Sequence, residues 1–262
     1  MGNLSKNFFS ILQPLQFTDE IRLGSKHDGG YVVPRFSVVS STALISLGYG
    51  HDSRFERDFL KVAPKAKCYL FESSIGFKSL IDNFVKAFFE KALKQRAFPL
   101  YKLKCLVLYL QTRLTPRMRY FKKEVRSEKS TNEQVTISTV LQKIDTNLNH
   151  FIKMDIEGGE YELLASSNLG NPQAMIIEFH SINERYDEFT SMVENLKLNY
   201  FIAHIHINNF ANIHFGVPDV IEVTFVRKDI VPQGINLELK ESIPTTLDSP
   251  CDPRKEDVTI YF

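Results

Sequence analysis

In FIKMDIEGGEYELL, residues 151–164, an apolar run broken by one lysine leads into Asp155, Glu157 and Glu160, with Gly158 and Gly159 between them. Carboxylates placed where a buried strand stops cost free energy unless something pairs with them or uses them. Polar residues recur at the ends of other apolar runs. LISLGYGHDS (44–53) closes on Gly48, Gly50 and Asp52, and YLFESS (69–74) on Glu72 and Ser73. AMIIEFH (174–180) ends in Glu178 and His180, and YFIAHIHINNF (200–210) carries His206, Asn208 and Asn209. Imidazole titrates near neutral pH, so His180 and His206 are the candidate general bases, with Asp155 as their acidic neighbour.

The elements that must position these groups follow from periodicity. TALISLGYG, KCYLFESS, the 151–154 run and AMIIEFH are short and continuously apolar, as strands buried on both faces are. DSRFERDFLKVAP places Phe55, Phe59 and Val62 at helical spacing, with Pro64 as the stop. RYFKKEVRS is expected as a strand and VTISTVLQKI as a helix entered through Thr136 or Ser138. Helical spacing is also expected around Ser191 to Leu196, and YFIAHIHINNF and DVIEVTFVRKD as two final strands. Asp28 and Gly29 sit between two alternating runs, as in a hairpin. The sum is an α/β fold of about seven strands, mostly parallel, with a hairpin at the late edge. Ligands of such sheets bind outside the carboxyl ends of the strands, which is the rim where the polar residues collect.

The glycine turn SLGYGHDS lacks the third glycine of the dinucleotide fingerprint, having Ser53 in its place, which argues for a ligand without a pyrophosphate. Glu72, at the end of the next strand, is then placed to accept both ribose hydroxyls of an adenosine. Alternatives are a nucleotide-dependent oxidoreductase, against which Ser53 and the lack of a Tyr-x-x-x-Lys pair speak, and a non-catalytic membrane-surface or protein-binding module.

LISLGYGHDSRFE, YLFESS, IKMDIEGGEYELL and IIEFH, in that order, resemble the FkbM-type family of S-adenosylmethionine-dependent methyltransferases, and KHDGGYVVP, HIHINNF and VPDVIEVTFVRK resemble a bacterial branch of it. The resemblance covers about residues 20–75 and 118–228. It implies a Rossmann-like class I methyltransferase fold and S-adenosyl-L-methionine as cofactor. Gly48 and Gly50 would lie against its methionine part, Glu72 on its ribose, and Asp155 near the sulfonium and the acceptor. Asp52, Ser73, Lys26 and Gly30 are expected to complete the cofactor set. The resemblance further implies O-methylation of a sugar hydroxyl of a bacterial surface glycan, or of its nucleotide-linked or lipid-linked precursor. Asp155, Glu178, His180 and His206 could instead hold a divalent metal that acidifies the hydroxyl, but no compact ligand motif requires one, and a metal-free histidine base is the expectation. Glu160 is expected only to favour a helix N-terminus.

Composition bounds the rest. The 262 residues are 43% hydrophobic and carry 32 basic against 31 acidic residues, enough for one large core as a single domain and no argument for nucleic-acid binding. From Lys78 to Lys123, however, twelve Lys or Arg face only Asp82 and Glu90. Residues 76–117 are expected to be a basic helical insertion that covers the core or forms a homodimer contact, with a substrate lid or peripheral membrane contact as the alternative. Three dispersed cysteines fit a reduced, cytoplasmic protein, and the apolar N-terminus, interrupted by Pro14, reads as neither signal peptide nor membrane span.

Overall fold

The computed structural model describes residues 5–50, 52–74, 100–144, 149–166, 168–234 and 237–262. The hairpin around Asp28 and Gly29 forms between β1 (Glu20–Gly24) and β2 (Gly30–Pro34). The apolar runs then become β3 (Ala43–Leu47), β4 (Lys67–Phe71), β5 (Met118–Phe121), β6 (His150–Met154), β7 (Ala174–Phe179), β8 (Tyr200–Ile207) and β9 (Ile221–Arg227). Between them lie α1 (Arg54–Val62), α2 (Leu100–Leu114), α3 (Ile137–Lys143), α4 (Glu160–Ser166) and α5 (Tyr186–Lys197).

Seven strands form one sheet in the order β8-β9-β7-β6-β3-β4-β5, with β9 antiparallel to both neighbours and every other pairing parallel. Leu47 is opposite Phe71 on one side and Met154 on the other, so β3, β4 and β6 reach the rim together. Strand order reverses between β3 and β6, which opens a crevice for a ligand at their carboxyl ends. This is the Rossmann-like methyltransferase fold, a mostly parallel sheet ending in an antiparallel pair.

Alternation along β6 shows how one strand serves both the core and the rim. Ile152 and Met154 join the apolar layer that α3, α4 and α5 cover, while Phe151 packs on Phe55 and Phe59 of α1. Lys153 has the parity of Phe151 but lies at the strand's last turn, where it is 5% exposed beneath the ring of Tyr31. Helix α3 starts through Thr136, whose side chain accepts from the Thr139 amide.

The expected single strand RYFKKEVRS divides instead. β5 stops at Phe121, and after Lys122 and Lys123 the chain leaves the sheet, so that Glu124–Arg126 pairs with Gln134–Thr136 in a separate two-stranded ribbon. β5 is the edge strand of the sheet and only Met118 of it is buried, so no doubly buried layer holds Lys122 and Lys123 in the ladder. Of the expected insertion, residues 76–99 lie outside the described residues, with Lys91, Lys94 and Arg96 among them. Residues 100–114 are helical, as expected. That helix docks on α1: Thr112 and Ser53 share a hydrogen bond of 2.6 Å, and Arg57 donates to the side-chain oxygen of Gln111 at 2.8 Å. Among the described residues no helix is long and apolar enough to cross a membrane.

Candidate active site

The rim is locked at Gly48. Its φ of +71° suits glycine, and a Cβ there would lie 1.6 Å from the Asp155 carbonyl oxygen. The two backbone segments are tied as well as touching: the Asp155 amide donates to the Leu47 carbonyl at 3.0 Å, and Lys153 Nζ donates to the Gly48 carbonyl at 3.1 Å. The end of β3 and the DIEGGE turn after β6 therefore form one rigid floor.

Two cavities open over this floor, and Asp155 lines both. The first, about 300 Å³, is bordered by Gly48, Gly50, Glu72, Ser73 and Glu157. The second, about 510 Å³, is bordered by Lys26, Asp28, Tyr49, Asp52, Arg54 and Lys153, with Leu108 of α2 at its edge. Tyr49 is 4% exposed, and its buried hydroxyl has no hydrogen-bond partner among the described residues. Glu72 accepts from the Ser74 amide at 2.7 Å and from its hydroxyl at 2.6 Å, which holds its carboxylate at the mouth of the first cavity.

Beside Asp155 stands a compact acid–base group. His180 Nδ1 lies 3.1 Å from Glu160 Oε1, and its Nε2 faces Glu157 at 3.6 Å, Glu178 at 3.8 Å and Asp155 at 4.0 Å. Glu160 is fully buried and also accepts from the His180 amide at 2.7 Å and, through its other oxygen, from the Gly158 amide at 2.8 Å. Burial alone would pull the imidazole pKa down, but the hydrogen bond to Glu160 and the charges of Glu178 and Asp155 outweigh it and raise it to about 9. Glu178 is pushed well above the usual carboxylate range, by burial first and then by Asp155 and Glu222, despite a bond from Asn208 Nδ2 at 2.9 Å. Burial works to discharge Lys153, and Asp155, Glu56, Glu178 and Glu222 more than offset it, leaving its pKa raised. The site thus holds a charged lysine and a proton-holding histidine among carboxylates.

The sequence-expected residues divide accordingly. Gly48, Gly50, Glu72, Ser73 and Asp155 meet at the first cavity, and Lys26 and Asp52 line the second. Gly30 lines neither: a Cβ there would meet the Ser25 carbonyl at 1.9 Å, so its small size serves the β1–β2 turn. His206 is also elsewhere. It is 3% exposed, with Nδ1 3.2 Å from Glu222 and Nε2 3.0 Å from Asp257, and the C-terminal segment covers it. Asp155, Glu178 and His180 each bring one ligand atom to within 4.8 Å of the others, whereas His206 falls in a second group with Glu222 and Cys251. The four-residue metal set therefore does not assemble. Glu160 exceeds its expected role, because its carboxylate reaches past the helix terminus to grip His180.

Lys153 and Arg54 were not expected in the site. A lysine within an apolar strand run was the available signal for Lys153, since such a charge is kept only where carboxylates surround it. Arg54 is held by Asp52, whose Oδ1 accepts its amide at 3.0 Å, and nothing in the local sequence directs it to a cavity.

The sheet order, with its glycine-floored crevice ending in acidic residues, is that of the class I methyltransferase fold. The sequence matches the Methyltransferase FkbM domain over residues 34–203, more than half of the chain, and the protein belongs to that family. No curated protein matches it. Among solved structures it is similar to a fibrillarin/Nop5p complex, at 10% identity, covering 82% of this chain and 98% of that one with a TM-score of 0.41. A precorrin-6y C5,15-methyltransferase from Geobacter metallireducens follows at 12% identity, 74% and 85% coverage and a TM-score of 0.36. Spermidine synthase from Thermotoga maritima stands at 11% identity, 84% and 75% coverage and a TM-score of 0.35.

Proposed function

We propose that the protein transfers a methyl group from S-adenosylmethionine to a sugar hydroxyl of a bacterial surface glycan, or of its nucleotide-linked or lipid-linked precursor, in the cytoplasm. One observation carries the choice of oxygen as acceptor. Glu160 fixes His180 through Nδ1, so that Nε2 is presented beside Asp155, the residue common to both cavities. An oxygen acceptor must lose a proton, and an imidazole so held is a base at a defined atom.

The residues present fit the cofactor. The first cavity, closed at its floor by the Gly48 contact and bordered by Glu72, suits the adenosine end, with Glu72 accepting from the ribose hydroxyls. Lys26 and Asp52 in the second cavity suit the charged methionine end, and the remaining space there suits the acceptor. When bound, the cofactor supplies an electrophilic methyl group on a sulfonium. Asp155 offers that cation a countercharge, His180 takes the hydroxyl proton at Nε2, and Glu160 keeps Nδ1 protonated throughout. Arg54, at the same cavity, could hold a phosphate of an activated acceptor.

The test is transfer of labelled methyl from S-adenosylmethionine to nucleotide-linked and lipid-linked sugar fractions, followed across pH. Because the base acts only when deprotonated, the rate should climb with pH until it levels near the His180 pKa of about 9. Label appearing on nitrogen, or a rate indifferent to pH and to His180→Ala, sinks this reading. The proximity of Asp155, Glu178 and His180 supports a second reading, a divalent cation at that group. It requires that chelation abolish transfer and that Mg²⁺ or Mn²⁺ restore it.

A further inference from the structure

The group formed by His206, Glu222 and Cys251 takes no part in the proposed methyl transfer, yet it is built from three kinds of metal-binding side chain. His206 lies on β8, Glu222 on the neighbouring β9, and Cys251 on the C-terminal segment, and each is 4% exposed or less. Cys251 Sγ is 3.7 Å from His206 Nδ1 and 3.9 Å from Glu222 Oε1, while Glu222 Oε2 is 3.2 Å from Nδ1. These separations suit the edges of a tetrahedron about a metal with bonds of about 2.3 Å to sulfur and about 2.0 Å to nitrogen and oxygen. Each of the three residues offers one donor atom, which makes three of the four corners and leaves the fourth to a water or a further ligand.

A second observation lies on the other side of the ring. His206 Nε2 is held by Asp257 at 3.0–3.1 Å, the arrangement in which a carboxylate behind a ligating imidazole fixes its orientation and raises its basicity. The surrounding bonds show what the group joins. Asn209 donates to the Asp252 and Glu256 carbonyls, and Asp248 lies 2.9 Å from His204 Nε2, so the C-terminal segment is tied to β8 and the turn after it on both sides of Cys251.

We propose that His206, Glu222 and Cys251 form a site for a thiophilic divalent cation of the zinc class, which staples the C-terminal segment to β8 and β9. Thiolate with imidazole selects such a cation over Mg²⁺ or Ca²⁺. Binding displaces one proton from the Cys251 thiol and one from His206 Nδ1, so a dication replaces two protons and the net charge of the buried cluster stays constant.

The test is a titration of the metal-free protein with Co²⁺. One equivalent should bind with a thiolate-to-cobalt charge-transfer absorption, release protons and raise the thermal midpoint. Cys251→Ala should abolish the absorption. Mass spectrometry should show Co²⁺ protecting Cys251 of the unmutated protein from alkylation during partial denaturation, a measurement that serves even if the variant fails to fold. A sulfur band that persists in a folded Cys251→Ala protein, no band in the unmutated protein, or Cys251 labelling indifferent to Co²⁺ overturns the proposal and leaves a hydrogen-bonded ion cluster. The Asp155, Glu178 and His180 group has no sulfur, so the outcome is independent of the reading of the methyl-transfer site.

Discussion

His180 and His206 stand on strands of one sheet, each among several carboxylates, yet their surroundings oppose each other. His180 follows the last residue of β7, where the chain leaves the sheet; its Nδ1 is hydrogen-bonded to Glu160, and its Nε2 stands 3.8 Å from the buried Glu178 without a hydrogen bond among the described residues. Its Nε2 looks toward Asp155 and the mostly exposed side chain of Glu157. His206 lies inside β8, one residue short of its end, and both nitrogens are taken by carboxylates under the C-terminal segment. Among the described residues, His180 Nε2 has no hydrogen bond, while both nitrogens of His206 are taken. Identical side-chain types thus acquire different surroundings from the depth at which the strand ends.

Substitution should separate the two. His180→Ala is expected to lower turnover roughly 100-fold to 10,000-fold while S-adenosylhomocysteine still binds, as calorimetry beside a rate assay would show. His206→Ala leaves Glu222 and Asp257 without their cation and should cost about 3–5 kcal/mol of stability in chemical denaturation. A turnover loss there with an unchanged denaturation midpoint would erase the distinction between the clusters. Glu72→Ala, at the first cavity, should weaken S-adenosylhomocysteine binding by about 1.5–3 kcal/mol, the worth of hydrogen bonds to a charged group. Unchanged affinity would remove Glu72 from the cofactor cavity.

The smallest expected effect sharpens the comparison most. Glu160→Gln removes a charge that helps raise the His180 pKa to about 9, so the acidic limb of the pH–rate profile should move to lower pH. A limb that stays in place would mean that Glu160 supports the turn alone, through its bond to the Gly158 amide.

Much of this arrangement was legible beforehand because it depends on local chemistry. Apolar runs of strand length, the Thr136 cap, the hairpin at Gly29 and the polar residue closing each strand are properties of consecutive residues, and strand polarity then collects those ends on one rim. The division of RYFKKEVRS at Lys122 was not legible in this way, because β5 is a partly exposed edge strand whose length is set by its pairing with β4.

The rest depends on where distant segments land. The parity that groups His204 with His206 says nothing of the residues after 240, and it is these that supply Asp248, Cys251 and Asp257 and seal that face. Glu160 looks in sequence like any acidic residue opening a helix, until β7 sets His180 against it across a separation of 20 residues. Gly48 and Gly30 are both glycines of tight turns, but the Asp155 carbonyl behind one and the Ser25 carbonyl behind the other make the first part of a ligand floor and the second part of a hairpin. The sequence by itself determined the sheet, its rim and the residue types gathered there, because those follow from periodicity and strand direction. Only the tertiary structure decided which histidine keeps an open nitrogen, because desolvation and pairing are set by neighbours far along the chain.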